Sequence, residues 1–155
     1  MTTEANIRAA IKAVIDAVVD IGTVNDYERY AKKQPDFENF YRAKIGTVNQ
    51  IRGWNIRRLS RREQSPDRGR WVVVINWRVQ GYMSLEDSTA SEKVFDNLVE
   101  QLVDAFRVDD TLGDVVDSTI VGQDAGLQIE DSGPVMFGSV LCHSARCRLV
   151  TRHFI

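Results

Sequence analysis

A chain of 155 residues, 43% hydrophobic and 27% charged, suits one soluble domain with a core that needs neither disulfide nor metal. Its formal net charge of −2 at pH 7 argues against a protein that coats nucleic acid over its whole surface, while leaving local patches open. No apolar run nears the roughly 20 residues a bilayer requires, and MTTEANIRAA lacks the basic start and apolar middle of a secretory signal. No membrane partner is expected, and the two cysteines are expected as free thiols in a protein made in a reducing cytoplasm.

The first predicted element is an amphipathic helix in ANIRAAIKAVIDAVVDIG, where Ile7, Ala10, Ile11, Val14, Ile15 and Val18 recur at three- and four-residue spacing. Gly22 is its natural stop. A short strand is expected from about Val24 to Tyr30. From Asp36 the run DFENFYRAKI places Phe37, Phe40, Tyr41 and Ile45 on one face of a brief helix. The middle of the chain is β-rich. In GRWVVVINWRVQGYM one parity holds Trp71, Val73, Ile75, Trp77 and Val79 and the other Asn76, Arg78 and Gln80, which predicts a strand with one packed and one wetter face. Before it, IRGWNIRRLSRRE alternates less cleanly, and the slip at Arg57–Arg58 suggests a β-bulge. The two runs pair as a hairpin whose long tip is SRREQSPDRG.

The clearest helix follows, in STASEKVFDNLVEQLVDAF. Thr89 and Glu92 stand at capping-box spacing, and Val94, Phe95, Leu98, Val99, Leu102, Val103 and Phe106 form one apolar stripe that must lie on a sheet. Two last strands are expected near 119–130 and 135–151, separated by the turn signal DSGP. The order α, β, α, β, β, α, β, β predicts an α+β fold: a mainly antiparallel β-sheet packed against two to three α-helices, in a single domain over 1–155.

The ending VLCHSARCRLVTRHF gathers both cysteines and both histidines of the chain. On a regular strand Cys142 and Cys147 point to opposite faces, whereas His143 and Cys147 share a face but lie ~13 Å apart at about 3.3 Å per residue. His153 falls in what reads as a fraying terminus. Neither pair closes on one ion, so no metal and no cofactor are expected, and the thiols read as small buried hydrophobes. No phosphate-cradling GxGxxG or GxxxxGK, no HExxH and no GxSxG occurs. Glu86, Asp87, Glu92, Asp96, Glu100 and Asp104 fall opposite the helix stripe, on a solvated face. No catalytic set is legible, and only acids scattered in sequence could build an enzyme here.

Charge is segregated along the chain. Residues 52–78 carry Arg52, Arg57, Arg58, Arg61, Arg62, Arg68, Arg70 and Arg78 against Glu63 and Asp67, while residues 86–117 carry ten acids against Lys93 and Arg107. A solvated tip and a solvated helix explain this blandly. Two functional readings compete with that one: an arginine-rich hairpin on a nucleic-acid backbone, or basic and acidic faces of identical subunits meeting head to tail in a ring. The tip lacks the aromatic interleaving of a single-strand binder, which favours the ring. Arg61, Arg62, Arg68 and Arg70, with Glu86, Asp87, Asp96 and Glu100, are the candidate partner or subunit contacts.

The opening NIRAAIKAVIDAVVDIGTVNDYERYA, the central WVVVINWRVQGYMSLEDSTASEKVFDNLVEQLVDAFRVD and the ending GPVMFGSVLCHSARCRLVT resemble, in order and spacing, tail-terminator or tail-completion proteins of tailed bacteriophages and prophages. The resemblance spans nearly the whole chain and rests on packing patterns. It implies a mixed α/β fold and a non-enzymatic hexameric ring in the tail–neck region of a virion, seated on the tail tube protein, ending its polymerisation and meeting a head-completion or connector protein. DNA would touch such a ring only in passing through it. Other neck and head-completion proteins of similar size compete with this role.

Overall fold

The computed structural model describes residues 2–155. Helix α1 (Glu4–Asp16) begins where the extended Thr3 accepts the Asn6 N–H on its hydroxyl at 3.2 Å, with Glu4 adding negative charge to the first turn. Its Ile7, Ile11 and Ile15 are buried, as the spacing predicts. Strand β1 (Thr23–Asn25) is shorter than expected, because the chain then leaves the sheet and brings Glu28 onto Arg57 and Arg78. Helix α2 (Gln34–Asn39) is also cut short. RAKI forms strand β2 (Arg42–Ile45) instead of a last helical turn, since pairing with the neighbouring strand outweighs a helix of six residues.

Strands β3 (Val48–Asp67) and β4 (Arg70–Ser84) make the central hairpin. SRREQSPDRG is not a loop. Pairing continues to Asp67–Arg70, and the turn is only Arg68–Gly69, with Gly69 at φ +80°. The bulge lies one residue beyond the expected slip: register passes from Arg58–Trp77 to Ser60–Asn76, leaving Leu59 over and half exposed. Val73, Ile75, Trp77 and Val79 are buried on the predicted parity, but Trp71, beside the turn, is 48% exposed.

Helix α3 (Ser91–Val108) follows a 3-10 turn at Asp87–Thr89. The Thr89–Glu92 capping box does not form. Ala90 takes the left-handed conformation at φ +55°, the Thr89 hydroxyl donates to the Glu86 carbonyl at 3.1 Å, and the Ser91 hydroxyl accepts the Glu86 N–H at 2.8 Å. Phe95, Leu98, Val99, Leu102 and Phe106 are buried as the stripe requires, whereas Val94 is exposed. After a small hairpin, β5 (Ile120–Val121) and β6 (Asp124–Ala125), strand β7 (Gln128–Phe137) runs straight through DSGP. An edge strand tolerates Pro134, whose missing N–H need not face a neighbour. The real turn is Gly138–Ser139, where the Glu38 carboxylate takes the Ser139 N–H at 2.8 Å and hydroxyl at 2.7 Å and is thereby held below the usual carboxylate range. Strand β8 (Val140–Phe154) closes the chain, and His153, paired with Val73, is buried and not frayed.

The sheet order is β1–β3–β4–β8–β7, with β2 beside β3; only β1–β3 is parallel. Three helices and this mostly antiparallel mixed sheet form a single α+β domain. One face carries the main core, Trp54, Ile56, Val73, Ile75, Trp77, Val79, Cys147 and Leu149, under α1 and α3. The indole N–H groups are satisfied there, Trp54 on the Ile21 carbonyl and Trp77 on the Thr151 hydroxyl, both at 2.9 Å. The other face holds a smaller cluster, Tyr41, Ile51, Phe137 and Cys142, with Phe37 of α2 stacked on Phe137 at 4.8 Å. Cys142 and Cys147 therefore lie in different cores on opposite faces, as strand parity predicts. Two strand glycines make this packing fit: a Cβ at Gly81 would stand 2.3 Å from the Trp54 ring, and one at Gly53 would stand 2.7 Å from Tyr41.

Candidate interaction surfaces

The arginines that read as one basic hairpin divide sharply in space. Arg52 is buried and donates to the Asp20 carbonyl at 3.0 Å. Arg57 and Arg78 share Glu28, at 3.1 and 2.8 Å, and Arg58 pairs with Glu4 of α1. Arg61 meets Glu63 at 2.8 Å, and Arg70 meets Asp67 at 3.5 Å while covering the Phe154 ring at 4.8 Å. Arg62 and Arg68 have no carboxylate partner among the described residues. Much of the apparent charge excess is thus neutralised within the chain, which sequence counting does not reveal.

The expected acids are all exposed, and none of Glu86, Asp87, Asp96 and Glu100 has a basic partner among the described residues. The structure places Arg68 and Arg70 at the hairpin tip, Arg61 and Arg62 further back on β3 opposite Ile75 and Val74, and Glu86 and Asp87 beyond the other end of β4. Those ends are about 46 Å apart at roughly 3.3 Å per residue. Asp96 and Glu100 lie one turn apart on the outer side of α3, and Glu100 borders a cavity of about 320 Å³ that also exposes Gln128 and Ile129 of β7. Basic and acidic groups therefore do not converge into one site within the chain. They mark different sides of it.

Sequence reasoning missed the two free sheet edges. Beyond Asn55 no strand flanks the outer side of β3 among the described residues, and residues 57–70 are exposed throughout. No strand flanks the outer side of β7, where Glu130 and Asp131 are exposed. Reading SRREQSPDRG and DSGP as loops hid both edges, although Arg-rich and Pro-containing stretches are what exposed edge strands characteristically carry.

Other groups offer less. The Ser91 hydroxyl lies 2.7 Å from His143 Nε2, but it already accepts the Glu86 N–H and is only 5% exposed. No carboxylate bonds the other ring nitrogen of His143 among the described residues, so the pair lacks the orienting group of a nucleophile–base–acid array. Burial pushes the Cys142 and Cys147 thiols up to about 12, which makes both poor nucleophiles. Among the described residues no three His, Cys, Asp or Glu side chains are placed to hold a metal ion, and no helix is long and apolar enough to cross a membrane. No protein-family model matches the chain, and no curated protein matches it in sequence.

Proposed function

We propose that this protein is a non-enzymatic virion assembly protein of the tail-terminator type, which closes into a ring on the end of a tail tube. The observation that carries the reading is the polarity of the domain. One end of β4 presents Arg68 and Arg70, the other end presents Glu86 and Asp87, and a rigid two-core sheet joins them. A subunit with unlike ends gives a ring with unlike rims, one for the tube and one for the head connector. Hexameric closure, the virion location and these two partners rest on the resemblance of the chain to that family.

A nucleic-acid-binding module is supported less well by the same surface. Counterion release scales with the number of cations free to meet phosphate, and Arg57, Arg58, Arg61, Arg70 and Arg78 already face carboxylates. The test is to add the protein to purified tail-tube subunits while they polymerise. Tubes are expected to stop at a bounded length, with density capping one end. Unchanged tube growth together with tight, salt-sensitive binding to duplex DNA would overturn this reading in favour of the nucleic-acid module.

A further inference from the structure

Each subunit has two unpaired sheet edges on opposite sides of one sheet, and they differ in charge. The outer edge of β3 beyond Asn55 carries Arg57, Arg58, Arg61 and Arg62 against Glu63 and Asp67, whereas β7 carries Glu130 and Asp131 and no basic residue. We infer that a second copy of this chain docks by strand addition, the β3 edge of one subunit pairing with the β7 edge of the next so that the sheet runs on between them. The inference rests on the ring reading above and names the contact that closes the ring.

Three features favour this pairing over its alternatives. Two β3 edges side by side would gather eight arginines against four acids, and two β7 edges would set acids against acids with no basic residue on either strand, so both symmetric pairings concentrate like charge. The unlike pairing balances four arginines against four acids. Strand direction agrees as well: β3, β4, β8 and β7 alternate, so β3 and β7 of one subunit run oppositely. In copies related by rotation about an axis along the strands, the neighbour's β7 then meets β3 antiparallel, the better-bonded arrangement. Finally, Arg61 and Arg62 offer a cation on each face of β3, as adjacent strand residues do. Ile129 and Asp131 flank a register shift that leaves Glu130 over, and Pro134 removes a donor, so the pairing extends over 128–133 at most.

The contact is heterologous, and repetition by rotation must close or run on as a filament. Glu100 of α3, which borders the same cavity as Ile129, adds a further acid beside the β7 edge. Arg57, Arg58 and Arg61 keep their carboxylate partners, and Glu130 keeps Arg148 at 2.9 Å, so the backbone groups of the two edges, and not new ion pairs alone, supply the contact.

The test uses two full-length variants, Arg61→Glu/Arg62→Glu and Glu130→Lys/Asp131→Lys, each checked for an unchanged thermal unfolding transition. At the low salt where the wild type assembles, each variant alone is expected to stay monomeric, and an equimolar mixture is expected to regain a closed particle of alternating subunits. Amide hydrogen exchange on the wild type supplies a readout that needs no variant: outward N–H groups of 58–63 and 128–133 are expected to exchange at least tenfold more slowly in the particle than in the monomer. A wild-type ring that both variants form unaltered, or a ring whose edge amides stay unprotected, overturns strand addition and leaves the ring reading intact. A wild type that stays monomeric at low salt overturns both.

Discussion

One strand, β3, contains two regions that could hardly differ more. Residues 51–56 are buried on both faces, with Trp54 and Ile56 in the main core, Ile51 in the smaller one, and Asn55 inside the sheet. Residues 57–67 are exposed without interruption, carry four arginines and pair on one side only. The boundary falls where β1 stops and the Leu59 bulge begins. The inner half is held by packing that tolerates little change, whereas the outer half contributes almost nothing to the core and is free to be shaped by what it meets. Core and exposed surface are thus separated along a single strand, and that separation can be tested from both sides.

The largest effect is expected from Leu102→Asp, which places an unpaired charge at a fully buried position under the sheet. The cost should exceed about 4 kcal/mol and leave no cooperative melting transition. A soluble, cooperatively melting variant would mean that the α3 stripe faces something other than its own sheet. Next comes Gly81→Ala, since its Cβ would stand 2.3 Å from the Trp54 ring. Overpacking of this kind costs roughly 1–3 kcal/mol, readable as a lower denaturant midpoint with an unchanged slope.

A smaller loss is expected from replacing Cys142 and Cys147 together with Ala. Each sulfur fills a different core, and a deletion of that size costs on the order of 1 kcal/mol per site. Assembly should be unaffected. In the wild type at pH 8 neither thiol should react with an alkylating reagent until the protein unfolds, because burial has pushed both up to about 12. Stoichiometric zinc that disappears with the double substitution would contradict this.

The smallest effect concerns His153, whose pKa is lowered by burial and by Arg61 above it. A lowered folded-state value means that the unfolded chain binds the proton first, so stability falls as pH drops below the ordinary value of 6.5. The difference in unfolding free energy between wild type and His153→Gln should be level above pH 7 and shift against the wild type below 6.5. A difference that stays level to pH 5 would contradict the sign.

How much of this was legible in the sequence depended on whether local pattern or long-range pairing decided the outcome. The isoleucine stripe of α1 and the Phe95–Phe106 stripe of α3 were readable because helical periodicity and burial agree there. The parity of β4 and the opposite placement of Cys142 and Cys147 were readable for the same reason, since side-chain alternation is a property of the strand itself. RAKI, SRREQSPDRG and DSGP were misread because strand pairing overrode their turn and helix signals, in the last two cases along an edge where charge and proline are tolerated. The Thr89–Glu92 box failed because Thr89 belongs to a 3-10 turn in which its N–H and its hydroxyl both donate to the Glu86 carbonyl. The eight candidate contact residues were identified as charged and exposed, but charge counting could not foresee that Glu4, Glu28 and Glu63 neutralise neighbouring arginines.

The central claim is that the exposed half of β3 belongs to an assembly contact between copies of this chain. It is tested most directly by the particle mass of the purified protein in solution at low salt, where surface charge pairs are least screened. The account predicts one closed species, a fixed small multiple of the 17.6 kDa chain, that electron microscopy shows as a ring and that also seats on the ends of tail tubes. A strict monomer at low salt that leaves tube ends bare would contradict it.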